Sequence, residues 1–89
     1  MKYDEITHEL VEQAIEKFRE RVTTAFEKHG SQCFASAHEG YGVIAEEVAE
    51  LLDAIRANDP EEIKKESMDV AVSAMWLWAS EESGQVLQR

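Results

Sequence analysis

Cysteine and basic residues are scarce in this chain, and both scarcities exclude classes of protein. The single cysteine, Cys33, cannot form an internal disulfide, which fits a reducing compartment. Nine lysine and arginine residues stand against nineteen aspartate and glutamate residues, so the formal net charge is −10. A chain with this charge is a poor partner for a nucleic-acid backbone or an anionic membrane surface. It would also repel a phosphorylated substrate unless a metal ion came with that substrate.

Long apolar runs are missing as well. The longest uncharged stretch, from Val70 to Ser80, is too short to span a bilayer. The amino terminus carries Asp4 and Glu5 where a signal peptide would need apolar residues. Hydrophobic residues nevertheless make up 44% of the chain, a proportion typical of globular proteins. We therefore expect a soluble cytoplasmic protein in which residues 1–89 form a single domain.

The scarcity of proline, together with few runs of β-branched residues, predicts an all-α fold. A first helix is predicted from about Asp4 to Lys28, with Gly30 just past its end as a suitable stop. Apolar residues recur along one side of this helix at helical spacing. They are Ile6, Leu10, Ala14, Phe18, Val22 and Ala25.

The start of the second helix is predicted from its amino-terminal cap. Ser36 and Glu39 have the spacing of a capping box, in which two side chains reciprocally satisfy free backbone donors. The helix should reach about Ala57. Two glycines weaken its first turn and leave a start nearer Tyr41 as the alternative.

The third helix is predicted from Pro60 to about Glu82, with Asp59 as its cap. Its apolar residues spread around nearly all of its circumference, which indicates burial on most sides. Short connections favour antiparallel neighbours, but two other helices cannot enclose such a helix. We therefore expect an antiparallel bundle of three main helices that is completed by homo-oligomerisation, with a partner protein as the alternative.

Two pairs of acids lie three residues apart on the second and third helices: Glu47 with Glu50, and Glu66 with Asp69. Residues three apart share a helix face, so antiparallel helices would bring the four carboxylates together. Glu66 lies inside the apolar arc of its helix, where an unpaired carboxylate costs several kcal/mol. Oxygen ligands of this kind suit Mg²⁺, Mn²⁺ or Ca²⁺ better than zinc.

Two plainer interpretations of these acids remain open. Lys65 can form an ion pair with Asp69 four residues later, and Arg56 can neutralise another acid. Alternatively, the acids bind a metal ion without doing chemistry. We favour a working site because the basic residues are too few to pair with every acid.

A metal ion held by these carboxylates can bind phosphate oxygens and lower the pKa of a water molecule. Glu46 is the candidate to take the proton of that water, with simple solvent exposure as an equally weighted alternative. Three other side chains are candidates for substrate binding, namely Lys65, His38 and Trp76. A surface ion pair for Lys65 and packing in the oligomer core for Trp76 are the plainer interpretations.

The segments Glu46–Leu51 (E-E-V-A-E-L) and Glu66–Val70 (E-S-M-D-V) resemble the signature of the MazG-like all-α nucleoside triphosphate pyrophosphohydrolases. That signature is E-E-x-x-E, a spacer, and E-x-x-D on two antiparallel helices. The resemblance implies hydrolysis of the α–β bond of a nucleoside triphosphate, Mg²⁺ as cofactor with Mn²⁺ as the alternative, and a homodimer or homotetramer. Our candidates for the catalytic residues are Glu46 and Glu47. The metal ligands that the resemblance implies are Glu47, Glu50, Glu66 and Asp69.

We therefore predict a Mg²⁺-dependent hydrolase acting on acid anhydrides. Its substrate would be a nucleoside or deoxynucleoside triphosphate, cleaved to the monophosphate and pyrophosphate as part of nucleotide-pool house-cleaning. One alternative is a phosphoribosyl-ATP pyrophosphohydrolase, which shares the architecture. The other is a non-catalytic helical module that binds a nucleotide or a protein.

Overall fold

The computed structural model describes residues 5–85, and these form three α-helices with no β-strand in that range. Helix α1 runs His8–His29, α2 runs Ala37–Arg56 and α3 runs Pro60–Glu82. The all-α prediction is therefore confirmed at the level of its helices. None of the three helices in this range is long and apolar enough to cross a membrane.

The first helix begins later than predicted because Thr7 caps it. The Thr7 side chain accepts a hydrogen bond from the backbone N–H of Leu10 at 3.1 Å, and residues 5–7 precede the helix. Asp4, the predicted start, lies outside the described residues. At the other end, Gly30 adopts a φ of 80° and its N–H donates to the Phe26 carbonyl, which ends the helix as predicted.

The second helix begins at Ala37 with the predicted cap, so the alternative start near Tyr41 is wrong. Ser36 Oγ accepts from the N–H of Glu39 at 3.0 Å. The Glu39 carboxylate accepts from the N–H of Ala35 at 2.9 Å, one residue before the donor that a standard capping box would use. Both bonds fix the first turn and so offset the weak helix propensity of its glycines.

Helices α2 and α3 are antiparallel and make the main contact of the fold. Asp59 accepts from the N–H of Glu62 at 3.3 Å and caps α3, so both predicted bounds of this helix hold. Gly40, near the start of α2, lies against Leu77 near the end of α3. A Cβ on Gly40 would lie 2.8 Å from Leu77 Cδ1, so the absence of a side chain permits this close approach.

Helix α1 contacts α3 but not α2. The ring centroids of Phe26 and Trp76 are 4.7 Å apart, and Trp76 Nε1 donates to the carbonyl of Gln32 at 2.8 Å. The predicted apolar side of α1 is only partly covered. Its carboxyl-terminal half, with Phe18 and Val22, is half-buried, whereas the residues before Phe18 on that side are exposed.

Little apolar surface is fully buried in the part of the chain that the structure describes. Ala54, 6% exposed, is the hydrophobic side chain buried there, whereas four polar or charged residues are buried. Several large apolar side chains face solvent instead. They are Ile6, Leu10, Val11, Ile15, Phe26, Tyr41, Val48, Leu52, Ile55 and Trp78.

Candidate metal and catalytic site

Three of the four predicted ligand carboxylates come together where α2 crosses the middle of α3. Glu47 from α2 and Glu66 and Asp69 from α3 each offer an oxygen, and these oxygens lie within 4.8 Å of one another. The three-residue spacing of Glu66 and Asp69 puts both on the face that α3 turns towards α2. Glu66 is only 7% exposed, as its place in the apolar arc predicts.

Glu50, the fourth predicted ligand, is exposed and lies outside this close group. It is nevertheless a neighbour of Glu47, because after burial its negative charge is the largest cause of the raised pKa of Glu47. Glu50 and Glu66 also line one open depression between α2 and α3. The remaining lining residues are Asp53, Ala54, Ala57, Asp59 and Glu62.

Burial raises the pKa of the Glu47 carboxyl above its ordinary value, and the negative charges of Glu50, Asp69 and Glu66 raise it further. A raised carboxyl pKa means that the fold favours the protonated form. The stability from this group is therefore present below its ordinary pKa and is lost as the pH rises through the raised value. The ionised form of Glu47 therefore opposes folding unless positive charge compensates it.

Two basic side chains supply part of that compensation. Lys65 Nζ lies 3.1 Å from Glu66 Oε1 and 3.3 Å from Asp69 Oδ2, which confirms the predicted ion pair of Lys65 with Asp69. The hydrogen bond to Glu66 and then that to Asp69 raise the pKa of Lys65. On the other side, the guanidinium of Arg21 in α1 forms an ion pair with Asp69 Oδ1.

Arg21 is the residue at this site that the sequence reasoning missed. The sequence pattern gave α1 an apolar side, and the predicted site residues all lay on the other two helices. Arg21 follows Phe18 by three residues and precedes Ala25 by four, so it lies within the apolar side of α1. A charged residue in such a position was the available signal that α1 contributes to the site.

Two carboxylate oxygens of the site lack any hydrogen-bond partner. Glu47 Oε2 and Glu66 Oε2 are both buried, and neither accepts a hydrogen bond. Buried charged oxygens of this kind are costly, and native structures seldom leave them unsatisfied. A set of carboxylate oxygens with no histidine or cysteine among them fits a hard divalent cation such as Mg²⁺ or Mn²⁺.

The other predicted site residues are not brought into this cluster. Glu46 is exposed, next to Glu47 in α2. His38 is exposed in the first turn of α2, nine residues before Glu47 and hence roughly 13 Å from it along the helix axis. Trp76 is half-buried against Phe26, so the described contacts place its indole within the chain's own α1–α3 packing.

Comparison with known proteins identifies the family. Residues 37–87 match the MazG nucleotide pyrophosphohydrolase domain, a range that contains both acid pairs and covers more than half of the chain. No curated protein and no solved structure matches the chain. The family match agrees with the antiparallel α2–α3 pair and with the carboxylates between these helices, and it assigns nucleotide pyrophosphohydrolase activity at the level of the family. The chain therefore belongs to the MazG nucleotide pyrophosphohydrolase family.

Proposed function

We propose that this chain is a Mg²⁺-dependent hydrolase that cleaves nucleoside or deoxynucleoside triphosphates to the monophosphate and pyrophosphate. The observation that carries the proposal is the pair of buried, unpartnered oxygens, Glu47 Oε2 and Glu66 Oε2, beside Asp69 in a MazG domain. Removal of unwanted nucleotides from the cellular pool is the role that we propose for this activity. We propose that residues 1–89 act as a single domain.

The ion would be held by Glu47, Glu66 and Asp69, with Glu50 as the fourth ligand at the exposed edge. Mn²⁺, which accepts the same oxygen ligands, is the alternative ion. When bound, the ion supplies positive charge to the phosphate oxygens and lowers the pKa of a water molecule. The chain's contribution is to hold these carboxylates close together, which α2 and α3 do by packing along each other.

Glu46 and Glu47 are the proposed catalytic residues. Glu46 is exposed beside Glu47, so it can accept a proton from the attacking water. The water oxygen forms a bond to the α-phosphorus, the bond from that phosphorus to the α–β bridging oxygen breaks, and pyrophosphate leaves with the electron pair. Glu47, whose pKa is raised, lies within the cluster and would act there as a metal ligand.

Substrate binding is proposed for Lys65, His38 and Trp76. Lys65 already lies against two of the site carboxylates, so its ammonium can approach a phosphate bound there. His38 is exposed and free to form hydrogen bonds to a nucleoside. Trp76 has its Nε1 donor occupied by Gln32, so its contribution would come from the ring face.

We propose that the active form is a homodimer or homotetramer, because the described helices leave large apolar side chains uncovered. Val48, Leu52 and Ile55 are spaced along one exposed side of α2, and Trp78 in α3 is 67% exposed. Large apolar side chains left exposed in this way are typical of association surfaces. Light scattering should therefore give a mass of two or four chains. Leu52→Glu should shift the protein to a single-chain mass, and a wild-type monomer at micromolar concentration would contradict this proposal.

A substrate panel tests the reaction. The full chain is incubated with Mg²⁺ and ribo- and deoxyribonucleoside triphosphates, both standard and modified, and with phosphoribosyl-ATP. We expect the monophosphate and pyrophosphate in equal amounts from at least one triphosphate. Orthophosphate as the first product would show that a different bond is cleaved. Turnover of phosphoribosyl-ATP alone would indicate that related enzyme, and no turnover with Mg²⁺ bound would indicate a non-catalytic binding module.

A further inference from the structure

Arg21 is a charged residue that α1 brings to a site built on the two other helices. Its guanidinium forms an ion pair with Asp69 Oδ1, whereas Lys65 takes Asp69 Oδ2. The side chain of Arg21 is 34% exposed, so it is partly open to solvent. Arg21 can therefore contact both the cluster and a ligand that approaches from solution.

The charges at the site explain why such a residue is needed. The four carboxylates of Glu47, Glu50, Glu66 and Asp69 carry four negative charges when ionised. Lys65 and Arg21 neutralise two of these negative charges, and one divalent ion would neutralise the other two. Only with both basic residues is the loaded site formally neutral, in a chain whose net charge of −10 repels an anionic substrate.

We propose that Arg21 is a phosphate-binding residue. Its guanidinium pairs with Asp69 in the free protein and moves to the pyrophosphate portion of the substrate when the substrate binds. When Asp69 binds a divalent cation, the cation offsets part of the negative charge of this carboxylate. Asp69 then attracts Arg21 less strongly. A guanidinium then finds stronger partners in phosphate oxygens, to which its planar donors bind in pairs. This inference rests on the proposed function, because it assumes a polyphosphate ligand at the cluster.

The proposal predicts that removal of Arg21 weakens phosphate binding but does not weaken metal binding. Arg21 competes with the cation for Asp69, so its removal should leave the affinity for Mg²⁺ unchanged or increase it. Arg21 contributes charged hydrogen bonds to phosphate, so its removal should lower the affinity for pyrophosphate by roughly 10–100-fold. A residue that merely positions Asp69 would instead lower both affinities together.

The test uses calorimetry on the full chain, first with Mg²⁺ alone and then with inorganic pyrophosphate at saturating Mg²⁺. The variant is Arg21→Gln. The matched control is Arg19→Gln, the same change of charge at an exposed position of the same helix. Arg21→Lys keeps the charge but loses the paired donors, so its affinity for pyrophosphate should lie between those of the wild type and Arg21→Gln.

Loss of pyrophosphate affinity in Arg21→Gln, with Mg²⁺ affinity retained and Arg19→Gln unaffected, supports the proposal. Equal losses of both affinities, or unchanged pyrophosphate affinity, overturn it. If circular dichroism shows that Arg21→Gln is unfolded, Arg21→Lys decides, and wild-type pyrophosphate affinity in that variant overturns the proposal. The measurement needs no turnover, so an inactive wild type in the substrate panel refutes the proposed reaction without deciding the role of Arg21.

Discussion

Replacing Glu66 with glutamine is expected to abolish triphosphate hydrolysis while leaving the helices intact. Glu66 is the most buried acid of the cluster, with one oxygen bound by Lys65 and the other without a partner. The change removes one negative charge from the centre of the proposed ligand set. Metal ions contribute several kcal/mol of charge stabilisation to such reactions, so turnover should fall by at least about 10³-fold.

The stability of this variant separates a lost ligand from a lost fold. Glu66→Gln removes a buried carboxylate that has one oxygen without a partner, and Lys65 still has Asp69 as an ion-pair partner. In the absence of a divalent ion the variant should therefore be as stable as the wild type or more stable. Pyrophosphate release and thermal unfolding followed by circular dichroism measure the two effects. Glu61→Gln is the matched control, because Glu61 lies in the same helix, is exposed and pairs with Lys64. Turnover by Glu66→Gln at the wild-type rate would place the active site elsewhere.

Saturating Mg²⁺ is expected to raise the unfolding temperature of the wild type strongly. An ion present at about 100 times its dissociation constant stabilises the folded state by roughly 2.7 kcal/mol. For a small domain this corresponds to an increase of roughly 10–20 °C. The physical reason is that the ion would bring positive charge to the close group of Glu47, Glu66 and Asp69, in which the ionised form of Glu47 opposes folding.

The dependence of this stabilisation on pH and on salt distinguishes binding from screening. The pKa of Glu47 is raised, so protons compete with the ion at a pH below that raised value, and the increase should shrink there. A chelator should reverse the increase, and Glu66→Gln should lose most of it. Sodium chloride at matched ionic strength is the control for general screening of the net charge of −10. An equal increase with sodium chloride would contradict a specific site.

The helices could be predicted closely because their limits depend on local interactions. Ser36 and Asp59 cap α2 and α3 through side chains that bond to backbone donors three residues later. The predicted start of α1, near Asp4, is too early, because the Thr7 side chain caps the helix by accepting from the N–H of Leu10. In each case the deciding contact lies within a few residues along the chain.

The site could be predicted in part. The spacing of Glu66 and Asp69, with Glu66 in an apolar arc, correctly indicated that α3 turns these carboxylates inward. The ion pair of Lys65 with Asp69 follows from their spacing in one helix. Glu50 shares a helix face with Glu47 but is exposed. Helical periodicity predicts which side of a helix a residue lies on, but it does not predict how much of that side a neighbouring helix covers.

By itself, the sequence determined three helices, the caps of α2 and α3 and the two acid pairs, since these follow from helical periodicity and from hydrogen bonds between near neighbours. Only the tertiary structure decided that α1 lies against α3 and delivers Arg21 to Asp69, forty-eight residues away in the chain. It also decided that Trp76 packs on Phe26. Such contacts depend on how helices pack against one another, and the apolar periodicity within each helix does not determine this packing.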